Sequence, residues 1–237
     1  LLIRSFFFII ALIIFLVLTY KKNTINVIKT SGFPAIIAGL FLSISFVAYI
    51  AAMSMTTVAN VVFIISTQTV FLAIAGYFIL KEKVTFIAFV SIILAMTGIG
   101  VMFSDSVATG SFFGSLVALA IPINFSILVM IIRKHPNLDM VPAIFYSGIF
   151  SCIYGLIFSE SFSISYHDIF MGFILGVPQL AFGFICITIG SKTTRATTIG
   201  LLMLTETIFA PIWVWIFLNE IPTLGVIIGG ILVITAI

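Results

Sequence analysis

The sequence predicts an all-α integral membrane protein. Its plan is an inverted repeat of two five-helix units, ten helices when complete, with nine present here and the first one missing. Three observations predict this. Of the 237 residues, 62% are hydrophobic and 7% charged, against roughly 45–50% apolar and about 25% charged in a soluble domain. The apolar residues fall into continuous runs near the length of a bilayer-spanning helix, roughly 17–25 residues. The chain also matches itself at an offset of 138 residues. Such a composition excludes an ordinary soluble enzyme, a disordered chain and a nucleic-acid binder.

The first run, 1–19, ends at Tyr20-Lys21-Lys22 without the small-residue cleavage site of a signal peptide. Runs 33–53 and 57–80 follow, the latter carrying Asn60 and Gln68 and closing in Leu80-Lys81-Glu82-Lys83. Next are 84–103 and 111–132, the second interrupted by Pro122 with Asn124 and ended by Arg133-Lys134. Then come 140–158 with Cys152, and 169–189 with Pro178, Gln179 and Cys186. The last two are 196–218, with Glu206, Pro211, Trp213 and Trp215, and 222–237. Transmembrane strands alternate over about ten residues, whereas these runs are continuous and about twice as long. No connection is long enough for a soluble domain. A proline frees a backbone carbonyl that polar neighbours or water must satisfy in lipid, so Pro122, Pro178 and Pro211 mark expected breaks. The two cysteines lack metal or redox spacing and are expected to be small buried hydrophobes.

Charge sets the expected orientation. One side holds Lys21, Lys22, Lys29, Lys81, Lys83, Arg133, Lys134, Lys192 and Arg195, nine of the ten basic residues. The other holds only Arg4, together with Asp105, Glu160, Asp168 and Glu220. The lysine-rich side is therefore expected to be cytoplasmic, with the C-terminus on it.

Self-similarity at a fixed offset marks internal repeats. Ser66-Thr67-Gln68-Thr69 aligns with Leu204-Thr205-Glu206-Thr207. Leu80-Lys81-Glu82 aligns with Leu218-Asn219-Glu220, and Thr85 with Thr223. The units run over 1–103, lacking its first helix, and 111–237, and together form one membrane domain. The chain starts without Met and ends at Ile237, equivalent to Ile99, so a helix at the front and a short tail at the back are expected to be missing. Five helices per unit is odd, so the second unit enters the membrane from the opposite face. Inverted repeats of this kind are a signature of secondary transporters, with substrate held near the midplane between the repeats.

An early arginine opens the first helix in Leu2-Ile3-Arg4-Ser5-Phe6-Phe7. The closing motif Leu80-Lys81-Glu82-Lys83-Val84-Thr85 recurs as Leu218-Asn219-Glu220-Ile221-Pro222-Thr223. On these features the whole chain resembles the EamA-like branch of the drug/metabolite transporter superfamily. The resemblance implies a ten-helix carrier of small metabolites (amino acids, nucleosides or drugs) in a cytoplasmic membrane, bacterial by family. It does not choose a substrate.

Glu206 is the one acidic residue deep in a span. A carboxyl there costs on the order of 2.5–3.5 kcal/mol to insert and marks a functional site by default. It is suited to carrying a proton or pairing with a cationic amine. The alternative is a protonated Glu bonded to a neighbouring helix. Gln68 occupies the equivalent position without charge, and Asn60 lies eight residues earlier near the same face. Both suit either a cavity lining or a helix-to-helix bond, as do Asn124 and Gln179. The flanking threonines, Thr67, Thr69, Thr205 and Thr207, are read as bonding their own helices. Trp213, seven residues after Glu206, and Tyr49 are aromatic candidates for a ligand or cation. Trp215 and Tyr77 are read alternatively as interfacial anchors, and the 26 phenylalanines as lipid-facing or packing. Gly110-x-x-x-Gly114 and Gly225-x-x-x-Gly229 suit close helix contact, within one chain or in a dimer.

His135 and His167 fall on opposite sides. The chain has no paired-Asp motif, no Gly-x-Ser-x-Gly elbow and no phosphate-binding loop. No catalytic residue, metal or cofactor is expected. The leading reading is a secondary carrier working by alternating access, in the export direction, with Glu206 in proton coupling or substrate recognition. The other readings are a non-transporting scaffold or subunit, with a packed midplane, and a membrane-embedded lipid enzyme, with several catalytic groups at one depth. Expected partners are a small-molecule substrate, protons and lipid, as monomer or homodimer, without nucleic acid.

Overall fold

The computed structural model describes residues 1–56, 58–107, 112–159, 164–218 and 224–236. Side chains at 59, 102–107, 210–211, 213–214 and 217–218 lie outside the description. The described residues are helical and include no strand: α1 (Leu2–Tyr20), α2 (Thr24–Met55), α3 (Val58–Ser66), α4 (Gln68–Leu80), α5 (Phe86–Val107) and α6 (Phe112–Lys134) come first. Then follow α7 (Val141–Ile157), α8 (Tyr166–Ile174), α9 (Gly183–Ser191), α10 (Ala196–Met203), α11 (Thr205–Leu218) and α12 (Leu224–Ala236). A 3-10 turn, Lys21–Asn23, joins α1 to α2, and a π-helical segment, Leu175–Phe182, joins α8 to α9. Each expected span falls on one helix or on a consecutive pair. Four stretches are long and apolar enough to cross a membrane, Leu2–Met55, Asn60–Leu80, Phe112–Lys134 and Tyr166–Ser191, and the other apolar helices are shorter. Large apolar side chains such as Phe78, Phe86 and Phe112 point outward, as expected where lipid replaces water.

Leu2–Met55 holds two of the expected spans. The chain bends at Gly32, whose φ of +56° is open to glycine and strained for any side chain. Pro34 then sits in the first turn of the resumed helix, where its missing N–H costs nothing.

The expected break is absent at Pro122 and present at Pro178. Pro122 does not interrupt its span, because α6 runs through it unbroken. Pro122 has no N–H to donate to the ladder. The hydroxyl of Ser126 donates to the Pro122 carbonyl at 2.7 Å, and the Asn124 amide donates to Ala120 at 2.6 Å. Pro178 lies inside the π-helical segment, whose wider turn gives its ring room against the preceding turn. The cysteines also depart from expectation, since Cys152 is half-buried and Cys186 exposed. A thiol on a lipid-bathed helix has no need to enter the protein core.

The chain divides into two compact units. The first, Leu1–Val47 with Ile127–Thr193, is built on α1 against α7 and the π-helical segment. Phe8, Leu12 and Leu16 of α1 are fully enclosed, as is Ile144 of α7. Glycines allow this approach: a Cβ at Gly155 of α7 would stand 2.9 Å from the Leu2 Cα of α1. At one end Asp139 accepts a hydrogen bond from the Tyr20 hydroxyl and another from the Val141 backbone at 3.0 Å, with Lys192 3.9 Å away.

The second unit is Ala48–Ser126 with Thr194–Ile237. Its largest contact is α5 along α12. Ala95, Ile99, Leu204, Val233 and Ala236 form one core cluster there, and Ala48, Ala52, Val61, Ile64, Ala118 and Ile121 form another. Of the Gly225-x-x-x-Gly229 pair, Gly229 is closely approached within the chain by Gly98. Gly114 likewise meets Met55 and Thr56, while Gly110 lies outside the described residues.

Glu82 of the repeated closing motif has a definite task in this unit. Its carboxylate accepts the Ala196 backbone N–H at 3.1 Å, at the N-terminus of α10. Truncating Glu82 to Ala is expected to lower stability by about 1 kcal/mol, the usual value of such a cap. Glu82→Gln, which keeps an acceptor oxygen, is expected to lose less. Thermal unfolding in detergent reads both, and equal losses would show that the acceptor is not what matters.

Candidate functional site

Two spans of the second unit are discontinuous near their middles. The first breaks at Thr67, between α3 and α4, and the second at Leu204, between α10 and α11. No proline makes either break. Thr67 donates its hydroxyl to Ile64 O at 2.6 Å, and its backbone N–H goes to the same carbonyl at 3.1 Å. Thr205 donates its hydroxyl to Leu202 O at 2.7 Å, and the Leu204 N–H goes to Leu201 O at 3.0 Å. Each bond reaches back three residues instead of four, so the helix tightens for one turn. Threonine hydroxyls compete with the helix ladder in this way and bend it. The two hydroxyl bonds are related by the same 138-residue offset that relates the sequences. Prolines drew attention in the sequence, but these two breaks fall beside threonines.

Gln68 and Glu206 follow these breaks directly, in the first turns of α4 and α11. Their surroundings differ. Gln68 is 5% exposed, and beside it the Thr69 hydroxyl ties α4 to Gly200 O of α10 at 3.0 Å. Glu206 is not enclosed by protein. It shares an exposed face with Leu202 and Phe209, while Leu204, Thr207 and Ile208 turn toward the core. Sequence equivalence set the two at one level of the repeat but did not determine which way each faces.

Asn60 is 4% exposed, and its amide is occupied. It donates to Thr56 Oγ1 at 2.9 Å and to the Ser115 hydroxyl, joining α3 to α6. Asn124 turns its amide back to Ala120 O of its own helix. Tyr49 is half-buried and packs on the cluster formed by Ala52, Val61 and Ala118. The Trp213 side chain lies outside the described residues. Gln179 belongs to the first unit, exposed on the π-helical segment. The polar candidates thus separate into amides committed to structure, Asn60 and Asn124, and groups presented outward, Glu206 and Gln179. Among the described residues no cluster of three His, Cys, Asp or Glu is suited to a metal ion.

Asn60→Leu is expected to lower stability by about 0.6 kcal/mol and at most about 1.7, the range of interhelical polar bonds in lipid. It should leave any substrate preference intact. Chemical unfolding together with a binding profile checks this; a changed preference at unchanged stability would make Asn60 a ligand contact.

These features define a class: a multi-pass helical membrane protein with hinged spans that place polar side chains inside otherwise apolar helices. The EamA-like transporter family profile matches the chain twice, over residues 1–104 and 108–237. The chain belongs to the EamA-like transporter family, within the drug/metabolite type, and a small-molecule substrate and the lipid bilayer are its partners. Among solved structures, one described as "Crystal structure of protein" aligns with 99% of this chain and 84% of its own. It does so with a TM-score of 0.85 at 16% identity, a likeness in fold alone. No curated protein matches the chain at a significant level.

Proposed function

We propose that the protein is a secondary carrier that moves a small metabolite (an amino acid, nucleoside or drug-like molecule) across the cytoplasmic membrane by alternating access, in the export direction. The observation that carries this reading is the match of one transporter-family profile to both halves of the chain. In this reading the halves are repeats related by an axis in the membrane plane. The C-terminus lies in the cytoplasm, on the lysine-rich side.

The hinges at Thr67 and Leu204 suit such a cycle, since a tightened turn in mid-helix often marks a functional hinge. Repeats of nearly equal stability supply two packings, one open to each side. Glu206, presented outward from its hinge, is the proton-coupling or amine-recognition group. Gln68 holds the neutral counterpart of that position, and Gln179 offers a further exposed amide. Tyr49 and Trp213 are aromatic contacts for substrate, and Asn60 and Asn124 support the helices on which the others stand.

Flux in proteoliposomes carrying the protein tests the reading. A screen across amino acids, nucleosides and cationic drugs should yield saturable transport of one class. Absence of flux for every class would overturn the carrier reading in favour of a non-transporting subunit.

A further inference from the structure

Residues 24–31 fall between the first two expected spans, yet they are helical and open α2. Two backbone breaks set them off from the helices on either side. Lys21, at the end of α1, has a φ of +49° and a ψ of −122°. Gly32 has a φ of +56° and a ψ of −156°. The hydroxyl of Thr24 holds the near end, 2.8 Å from Lys21 O and 3.2 Å from Leu16 O of α1. At the far end Ser31 is buried, its hydroxyl donating to Ile28 O at 2.8 Å. The segment is a short helix of its own, fixed at both ends.

Its two faces differ. Thr24, Val27 and Ile28 are half-buried beside Ser31, so that face lies on the protein. Ile25, Asn26, Lys29 and Thr30 are exposed on the other. Ile25 and Lys29 stand four residues apart, neighbours on a helix surface. Ile25 is 68% exposed and Phe33, just past the bend, 72%. Lys21 and Lys22 are exposed at the near end. The sequence has no acidic residue before Glu82. Asp139, which meets the neighbouring Tyr20, also accepts the Val141 N–H and stands 3.9 Å from Lys192. Orientation in a membrane requires lysines on one side. It requires neither a helix to carry them nor Ile25 and Phe33 beside them.

We propose that the segment Thr24–Ser31 is an interfacial helix that binds anionic phospholipid headgroups through Lys21, Lys22 and Lys29, with Ile25 and Phe33 set among the acyl chains. A short helix carrying lysines and exposed apolar side chains, placed where two apolar helices turn back, has the makeup of one lying in the headgroup layer. Lysine stems run along apolar surface while their ammonium groups reach the phosphates. Three cations with no acid on their own helices match a negatively charged headgroup and gain little from a zwitterionic one. The proposal goes beyond the carrier reading and stands on the membrane class of the protein alone.

Tryptophan quenching by brominated lipid tests it at the segment itself. Phe33→Trp supplies the reporter in nanodiscs, and the unaltered protein, with Trp213 and Trp215, supplies the background. Brominated phosphatidylglycerol is expected to associate at the reporter about fivefold or more tightly than brominated phosphatidylcholine, the attraction of a single lysine to an anionic surface. Lys21→Gln, Lys22→Gln and Lys29→Gln together should bring the two lipids within about twofold, while Lys81→Gln with Lys83→Gln should leave the preference whole. If the triple variant fails to fold, Lys29→Gln and a salt titration of the reporter protein carry the test, each expected to reduce the preference. Equal association of the two lipids, or a preference that survives both the lysine substitutions and high salt, overturns the proposal. So does an equal preference at a Phe112→Trp reporter, which would make the attraction general to the protein. Loss of the preference to inorganic phosphate at constant ionic strength also overturns it, since the lysines would then hold a free anion.

Discussion

Glu206→Gln is expected to yield a folded protein whose flux no longer responds to pH. In a carrier coupled through this carboxyl, flux should change about tenfold or more between about pH 6 and about pH 8, and in the variant by less than about twofold. Two features of the position support this outcome. Glu206 stands at the first turn of α11, immediately after the hinge at Leu204, so a change in its charge acts where the helix bends. Its side chain is presented outward, while Leu204, Thr207 and Ile208 hold the packed face. The substitution therefore removes a titratable group without disturbing the core, and its amide matches the Gln68 found at the repeated position. Flux into proteoliposomes at several pH values, with the unfolding temperature measured in parallel, gives the answer. An unchanged rate and pH profile would take Glu206 out of the mechanism while leaving the carrier standing.

Gly98→Val is expected to be the most damaging single change in the second unit. A Cβ at Gly98 would stand 2.7 Å from the Gly229 carbonyl oxygen, 2.9 Å from the Leu232 Cβ and 3.0 Å from a Val233 methyl. The nearest of these is backbone in the middle of α12, which no rotamer change can withdraw. Overpacking a core with yielding side chains costs about 1–3 kcal/mol, and here α5 and α12 must separate along their length. The loss should reach or exceed the upper end of that range and appear as a large drop in unfolding temperature or as failure to accumulate in the membrane. Gly100→Val on the same helix is the control, since a Cβ there meets nothing within 4 Å. Equal behaviour of the two variants would show that the α5–α12 approach is not what holds the unit together.

The helical segments were legible in the sequence because lipid imposes a length and an apolar composition on any spanning helix. Most observed bounds differ from the expected spans by a few residues; the exception is α2, which begins at Thr24 instead of residue 33 and takes up most of the expected connection before it. The family was legible through the early arginine and the doubled closing motif, and the profile match bears it out. Local breaks were harder to read. Prolines announce themselves, yet α6 runs on through Pro122, whereas Pro178 lies in the π-helical segment and two further discontinuities, at Thr67 and Leu204, have no proline beside them. A threonine in a sequence does not reveal whether its hydroxyl competes with the ladder, because that depends on which carbonyl its rotamer reaches.

Sequence by itself determined that the chain is a bundle of apolar helices, where most of these lie, and to which family the chain belongs. Tertiary structure alone decided which amides are used up in holding helices together, as for Asn60, and which face outward, as for Glu206. It also turned Arg4 onto Phe46, a contact joining residues 42 positions apart. The physical reason is that spanning a membrane is a one-dimensional requirement on composition along the chain. The orientation of a side chain about its helix is fixed only when neighbouring helices pack.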